Sequence, residues 1–227
     1  MTGAIEPGQG IPAPRLLKPR LRGVSHQWAF YVSLALGAAL VLTAPTGEAT
    51  ASAGIYAACV AILFGTSALY HRIDWRTESA RRWMRRMDHS AIFLLIAGSY
   101  TPFATLVIDG QLSDIVLVVM WTGALGGIFL NLVWIDAPKW LAALAYVLLG
   151  SVAIAAVPDM TSNLGITAVA MVGAGGVLYA VGAVVYAIKR PNPSPTVFGY
   201  HEVFHLLVIL AAALQYAVIA FWVVPSA

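Results

Sequence analysis

Charge is scarce in this chain: Asp, Glu, Lys and Arg make up only 10% of its 227 residues, while 60% are hydrophobic. A soluble domain carries roughly a quarter charged residues, so the composition excludes an ordinary soluble fold and predicts an integral membrane protein. Cysteine is scarcer still. Cys59 stands alone inside an apolar run, which excludes an intramolecular disulfide, a cysteine-based zinc cluster and a CxxC redox pair. Any metal must then be held by His, Asp or Glu. A net charge of +3 comes with no basic domain, and Lys and Arg collect on the cytoplasmic loops of membrane proteins. Nucleic acid is therefore excluded as a partner.

A span needs about 20 mainly apolar residues to cross about 30 Å of hydrocarbon. Seven stretches qualify, at about 27–43, 51–70, 88–108, 112–133, 139–157, 164–188 and 200–223. The segments between them (TAPTGEAT, DGQLSD, WIDAPK, PDMTSN, KRPNPSPT) are turn-sized, apart from one Arg-rich stretch after the second span. Residues 1–22 read as a flexible basic tail, and 23–227 as one seven-transmembrane domain. No small-residue cleavage pattern clearly ends the first apolar run, so it is expected to remain as a span rather than act as a signal peptide.

The thirteen basic residues test this count. Arg15, Lys18, Arg20 and Arg22 precede the first span, six arginines from Arg72 to Arg86 separate the second and third, Lys139 follows the fourth, and Lys189 and Arg190 follow the sixth. All fall on one side. The positive-inside rule then predicts an all-α, multi-pass seven-helix membrane bundle with a cytoplasmic N-terminus and an outside C-terminus. Within 72–87, Ala80, Trp83, Met84 and Met87 share one helical stripe opposite Arg81, Arg82, Arg85 and Arg86. The pattern predicts a helix lying on the inner leaflet, either capturing anionic lipid or anchoring the topology with snorkelling arginines.

Ionisable residues within a span are functional candidates, because stranding them in hydrocarbon is costly. Span two ends in Ser67-Ala-Leu-Tyr-His71, span three opens with Asp88-His89, and span seven opens with His201-Glu202-Val-Phe-His205. The topology puts all three ends at one depth. His201 and His205, at i and i+4, stack on one helix face. With His71 they make three imidazoles, which leave a fourth tetrahedral position open, as in a catalytic zinc site. Asp88 is placed to bind a water at the metal or the metal itself, and Ser67, one turn below His71, to hydrogen-bond a water or carboxylate. His89 points about 100° away from Asp88 and is left out; His26 reads as an interfacial residue.

His201-Glu202-Val-Phe-His205 also spells the HExxH pattern of zinc proteases. The membrane-embedded type takes its third ligand from an Asp-Gly segment in a later span. Here Asp109-Gly110 lies earlier, about a membrane thickness away, so the protease reading ranks second. Glu202 is expected either to act as a base or to face cytoplasmic water at a helix start, where the dipole favours negative charge.

Ser67-x-x-x-His71, Asp88-His89-Ser90, Gly98-Ser99-Tyr100-Thr101-Pro102 and His201-x-x-x-His205 together resemble the bacterial hemolysin III family, within the superfamily of adiponectin and progestin receptors. The resemblance covers all seven spans. It implies a seven-helix fold with a cytoplasmic N-terminus and a zinc ion held by His71, His201 and His205, with Asp88 near the metal's water and Ser67 supporting it. Through the alkaline ceramidases of the wider superfamily it implies hydrolysis of lipid amides, and for the bacterial branch membrane-lipid homeostasis. Glu202 departs from the receptor branch, where a neutral residue is usual.

The expected function is a zinc-dependent hydrolase of lipid amides or esters, a ceramidase-like amidase, with a membrane lipid or fatty-acyl ligand in the bundle. The alternatives are a non-enzymatic lipid sensor with structural zinc, a pore-forming cytolysin and an HExxH membrane protease. Glycines 123, 126, 127, 173, 175 and 176 either close helix packing or line a lipid cavity.

Overall fold

A computed structural model of the chain describes residues 18–227; the tail expected over 1–22 falls mostly outside the described residues. Helices follow in the order α1 (Val24–Thr43), α2 (Gly47–Arg72), α3 (Glu78–Leu106), α4 (Gly110–Val133), α5 (Lys139–Ser151), α6 (Val157–Leu164), α7 (Ile166–Ile188) and α8 (Tyr200–Val218). Among the described residues they provide seven spans long and apolar enough to cross a membrane, because α5 and α6 are two parts of one crossing, Trp140–Leu164. The chain is an all-α seven-helix membrane bundle.

Each start has a local cause. Thr46 accepts a hydrogen bond from the Ala49 amide at the head of α2, and Thr77 accepts one from Ala80 at the head of α3, both at 3.2 Å. These caps satisfy amides that the first helical turn leaves unpaired. At the head of α8 the Glu202 carboxylate reaches back to the Gly199 amide at 2.7 Å.

Two spans differ from expectation. The third does not begin at 88: its helix starts ten residues earlier, so the arginine stripe forms the first turns of α3 rather than a separate helix along the leaflet. Twenty-nine residues make a helix of about 43 Å, longer than the roughly 30 Å hydrocarbon core, so its charged end stands beyond the apolar layer. There Arg86 donates to the Leu132 carbonyl at 2.9 Å, and Arg85 to the Ile135 carbonyl at 3.1 Å and to Asp136. The arginines thus satisfy carbonyls at the end of α4, where cations are favoured by the helix dipole.

The fifth span extends to Leu164, and PDMTSN is helical instead of a turn. Pro158 has no N–H to bond the carbonyl four residues back. The chain tightens into a 3-10 segment over Val152–Ala156 and restarts with Pro158 in the first turn of α6. The reversal falls at Gly165, whose φ of 84° suits glycine alone among common residues.

α3 is the most enclosed span, with α2 on one side and α4 on the other. α1 packs on α2, α7 on α8, and α8 closes back onto α1. Tyr56, Phe93, Met120 and Val218 fill the centre. Outside, Trp28, Leu42, Phe129 and Phe221 stand exposed, Leu42 at 84%. Apolar exposure on that scale suits lipid rather than water.

Candidate metal centre

The α1–α2, α2–α3 and α1–α8 packings bring four helix ends together at the arginine-rich end of the bundle. His71 comes from the last turn of α2, Asp88 from the third turn of α3, and His201 and His205 from the first two turns of α8. One donor atom from each of His71, His201 and His205 lies within 4.8 Å of the other two. His71 Nε2 and His201 Nε2 are 3.0 Å apart, and the His205 ring centroid is 4.5 Å from that of His201 and 5.2 Å from that of His71. The three are enclosed, at 6%, 9% and 1% exposure.

This arrangement fits a zinc ion. Two imidazole nitrogens on a tetrahedral zinc at 2.0–2.1 Å sit about 3.3 Å apart, close to the separation of His71 and His201. Three neutral imidazoles are also a donor set that zinc accepts, with one tetrahedral position left over.

Asp88 stands beside the cluster, its Oδ2 3.8 Å from His71 Nε2, with a side chain 12% exposed. The buried Ser67 side chain lies beside the Asp88 carboxylate, bringing α2 and α3 together at this depth. His71, His201, His205, Asp88 and Ser67 therefore meet at one place. His89 lies outside the three-histidine group; its backbone carbonyl accepts from the Tyr146 hydroxyl at 3.3 Å.

Glu202 does not face water as one expectation had it, being 2% exposed. One carboxylate oxygen accepts from the Gly199 amide and the other from Arg22 Nε. With both oxygens engaged, it serves as the cap of α8 and the anchor of the segment before α1. The Asp109 amide bonds the Asp159 carboxylate at the far end of α3. Asp109 lies about 30 Å along the helix from Asp88, too far to complete a protease-type site.

His26 was misplaced by sequence reasoning. It is no interfacial residue: it is 2% exposed, and its ring stacks on His205 with centroids 3.7 Å apart and planes 7° from parallel. The depth rule that gathered the other histidines applies equally to the first span, which starts at the same end. Beside it Gly23, with φ 79°, sits so near α2 that a Cβ would come 2.5 Å from His71 Cβ.

A seven-span bundle with a buried trio of histidines at one end defines a polytopic membrane protein with a candidate metal centre. Residues 15–216 match the family described as haemolysin-III related. The chain is 31% identical over 182 residues to Hemolysin-3 of Bacillus cereus, covering 80% of each, and 29% identical over 170 residues to the Hemolysin-3 homolog of Bacillus subtilis strain 168, covering 75% of this chain and 76% of that one. It belongs to the haemolysin III family and is a multi-pass integral membrane protein.

Proposed function

We propose that the protein is a zinc-dependent hydrolase of lipid amides or esters, a ceramidase-like lipid amidase serving membrane-lipid homeostasis at the cytoplasmic leaflet of a bacterial plasma membrane. The observation that carries this reading is the buried convergence of His71, His201 and His205 with Asp88 and Ser67 beside them. Three imidazoles leave one tetrahedral position that the protein does not fill, the form of a catalytic rather than a closed structural site. Bound zinc would supply Lewis acidity, polarising a carbonyl and making water acidic near neutral pH.

The rest falls to the chain. His71, His201 and His205 would hold the ion. Asp88 takes a proton at Oδ2, the oxygen nearest His71, and returns it to the leaving amine or alcohol. Ser67, beside the carboxylate, would orient it. The apolar walls of α2, α3 and α8 keep bulk water from the reacting groups. The fatty-acyl chain enters sideways into the bundle, and the exposed Arg72, Arg76 and Arg81 draw anionic lipid to this end.

Elemental analysis of detergent-purified protein tests the site. Wild type is expected to carry about one zinc per chain, His71→Ala and His205→Ala to lose it, and Asp88→Asn to keep the metal while losing turnover of lipid amides and esters. Folded wild type that takes up no zinc would reject the reading. Zinc with no turnover of any amide or ester lipid would replace hydrolysis with a sensor that uses zinc structurally.

A further inference from the structure

The segment that leads into α1 lies against the histidine cluster at three successive points. Arg22 pairs with Glu202 on α8, Gly23 touches His71 on α2, and His26 lies flat on His205. The Arg20 and Leu21 amides donate to the Thr196 and Val197 carbonyls at 3.0 and 3.1 Å, tying this segment to the loop before α8. On its other side the His26 ring meets the Phe64 edge, centroids 5.1 Å apart. His26 is wedged between α2 and α8.

We propose that His26 is a positioning residue for the metal centre: its ring face fixes the rotation of the His205 imidazole and so aims a nitrogen of His205 at the ion. This inference rests on the metal reading above and deepens it. A ligating imidazole is usually held by the hydrogen bond that its second ring N–H donates to a carboxylate or a carbonyl. No hydrogen bond reaches His205 Nδ1 among the described residues. What restrains the ring is a nearly parallel aromatic face at 3.7 Å.

His26 is not itself a ligand in this geometry. An imidazole binds metal in the plane of its ring, and with the two planes 7° from parallel an ion in the plane of His205 lies off the plane of His26. Consistently, His26 falls outside the group whose donor atoms converge. Neither of its ring nitrogens reaches a side-chain hydrogen-bond partner, and the polar group next to it is the His205 backbone. Its contribution is therefore the ring face, which another aromatic ring can supply.

The test uses the full chain in detergent micelles, stripped with chelator and titrated with Co²⁺, whose visible absorption reports ligand geometry. His26→Ala is expected to weaken Co²⁺ binding 10- to 100-fold, the usual effect of losing a group that orients a metal ligand, and to change the shape of the absorption bands. His26→Phe, which keeps an aromatic face and cannot ligate, is expected to restore both affinity and band shape. Folding of each variant is checked by circular dichroism, and the Phe variant keeps the test open should the Ala variant unfold. Wild-type affinity and spectrum in folded His26→Ala would overturn the positioning role while leaving the metal centre intact. Folded His26→Phe that fails to recover them would overturn it in favour of direct ligation. Wild type that binds no Co²⁺ and no Zn²⁺ would overturn the metal reading and this inference together.

Discussion

At the scale of single residues, the three that stand between His201 and His205 decide how the HExxH spelling is read. Val203 and Phe204 occupy the two positions between Glu202 and His205, and Phe204 packs against Tyr186 of α7 in a tilted pair, centroids 5.2 Å apart, so its face of the helix serves packing. Glu202 is spent on Arg22 and on the Gly199 amide. Glu202→Gln is thus expected to keep full metal content while lowering thermal stability, because it discharges one half of an enclosed ion pair. Glu202→Ala, which also removes the cap, should cost about 3–5 kcal/mol. Zinc analysis beside thermal unfolding in detergent checks both, and loss of metal from folded Glu202→Gln would contradict the capping role. Asp136 offers a contrasting charge, exposed in the loop after α4. Its hydrogen bond from Arg85, with Arg82 and Arg86 nearby, holds its carboxyl below the ordinary 3.8. A carboxyl depressed in the folded state stabilises above its unfolded pKa, and that contribution disappears as pH falls through the folded value. The melting temperatures of wild type and Asp136→Asn are accordingly expected to differ slightly at pH 7 and low salt, and to converge in acid or at high salt.

At the scale of elements, the run Gly98-Ser99-Tyr100-Thr101-Pro102 that helped to identify the family does its work far from the histidines. The Tyr100 hydroxyl donates to the Gly150 carbonyl and accepts from the Ala153 amide at 2.9 Å, so it binds the backbone where the fifth span gives up α-helical geometry. Gly98 lets α3 approach Cys59 on α2, since a Cβ there would come 2.5 Å from Cys59 Sγ. The motif is a brace for helix packing. Tyr100→Phe removes both hydrogen bonds, one to the exposed Gly150 carbonyl and one from the part-buried Ala153 amide, and should destabilise the protein by about 1–3 kcal/mol without changing metal content; an unaltered melting temperature would show that the 3-10 turn needs no such clamp. The glycines of α4 and α7 divide along the same line. A Cβ at Gly123 would collide with Leu149, one at Gly127 with Phe93, and one at Gly175 would lie 3.4 Å from the Ala211 carbonyl, whereas a Cβ at Gly126, Gly173 or Gly176 would meet nothing within 4 Å. Close packing explains the first group only.

At the scale of the whole molecule, the seven crossings were legible because hydrocarbon thickness imposes a length that a sequence can be read against, and the histidine layer because alternation of spans fixes which ends share a depth. What was not legible depended on forces outside hydropathy. Arg82, Arg85 and Arg86 hid the first turns of α3 because their charges are answered by carbonyls and Asp136 at and just beyond the end of α4. Pro158 looked like a chain reversal because its missing hydrogen bond gave no sign that a 3-10 turn and Tyr100 would absorb it. His26 was passed over because stacking leaves no spacing rule behind. Sidedness follows from charge alone, and it determines whether the site meets the cytoplasmic leaflet. Cys59, 5% exposed, gives a quiet background for thiol labelling once it is replaced by Ala. In that background Glu78→Cys, at the histidine end of α3, should resist a membrane-impermeant maleimide in intact cells and react after the membrane is opened. Glu48→Cys, exposed at the start of α2 on the opposite face, should react from outside. The reverse pattern would turn the bundle over and move the histidine site, with any lipid it acts on, to the outer leaflet.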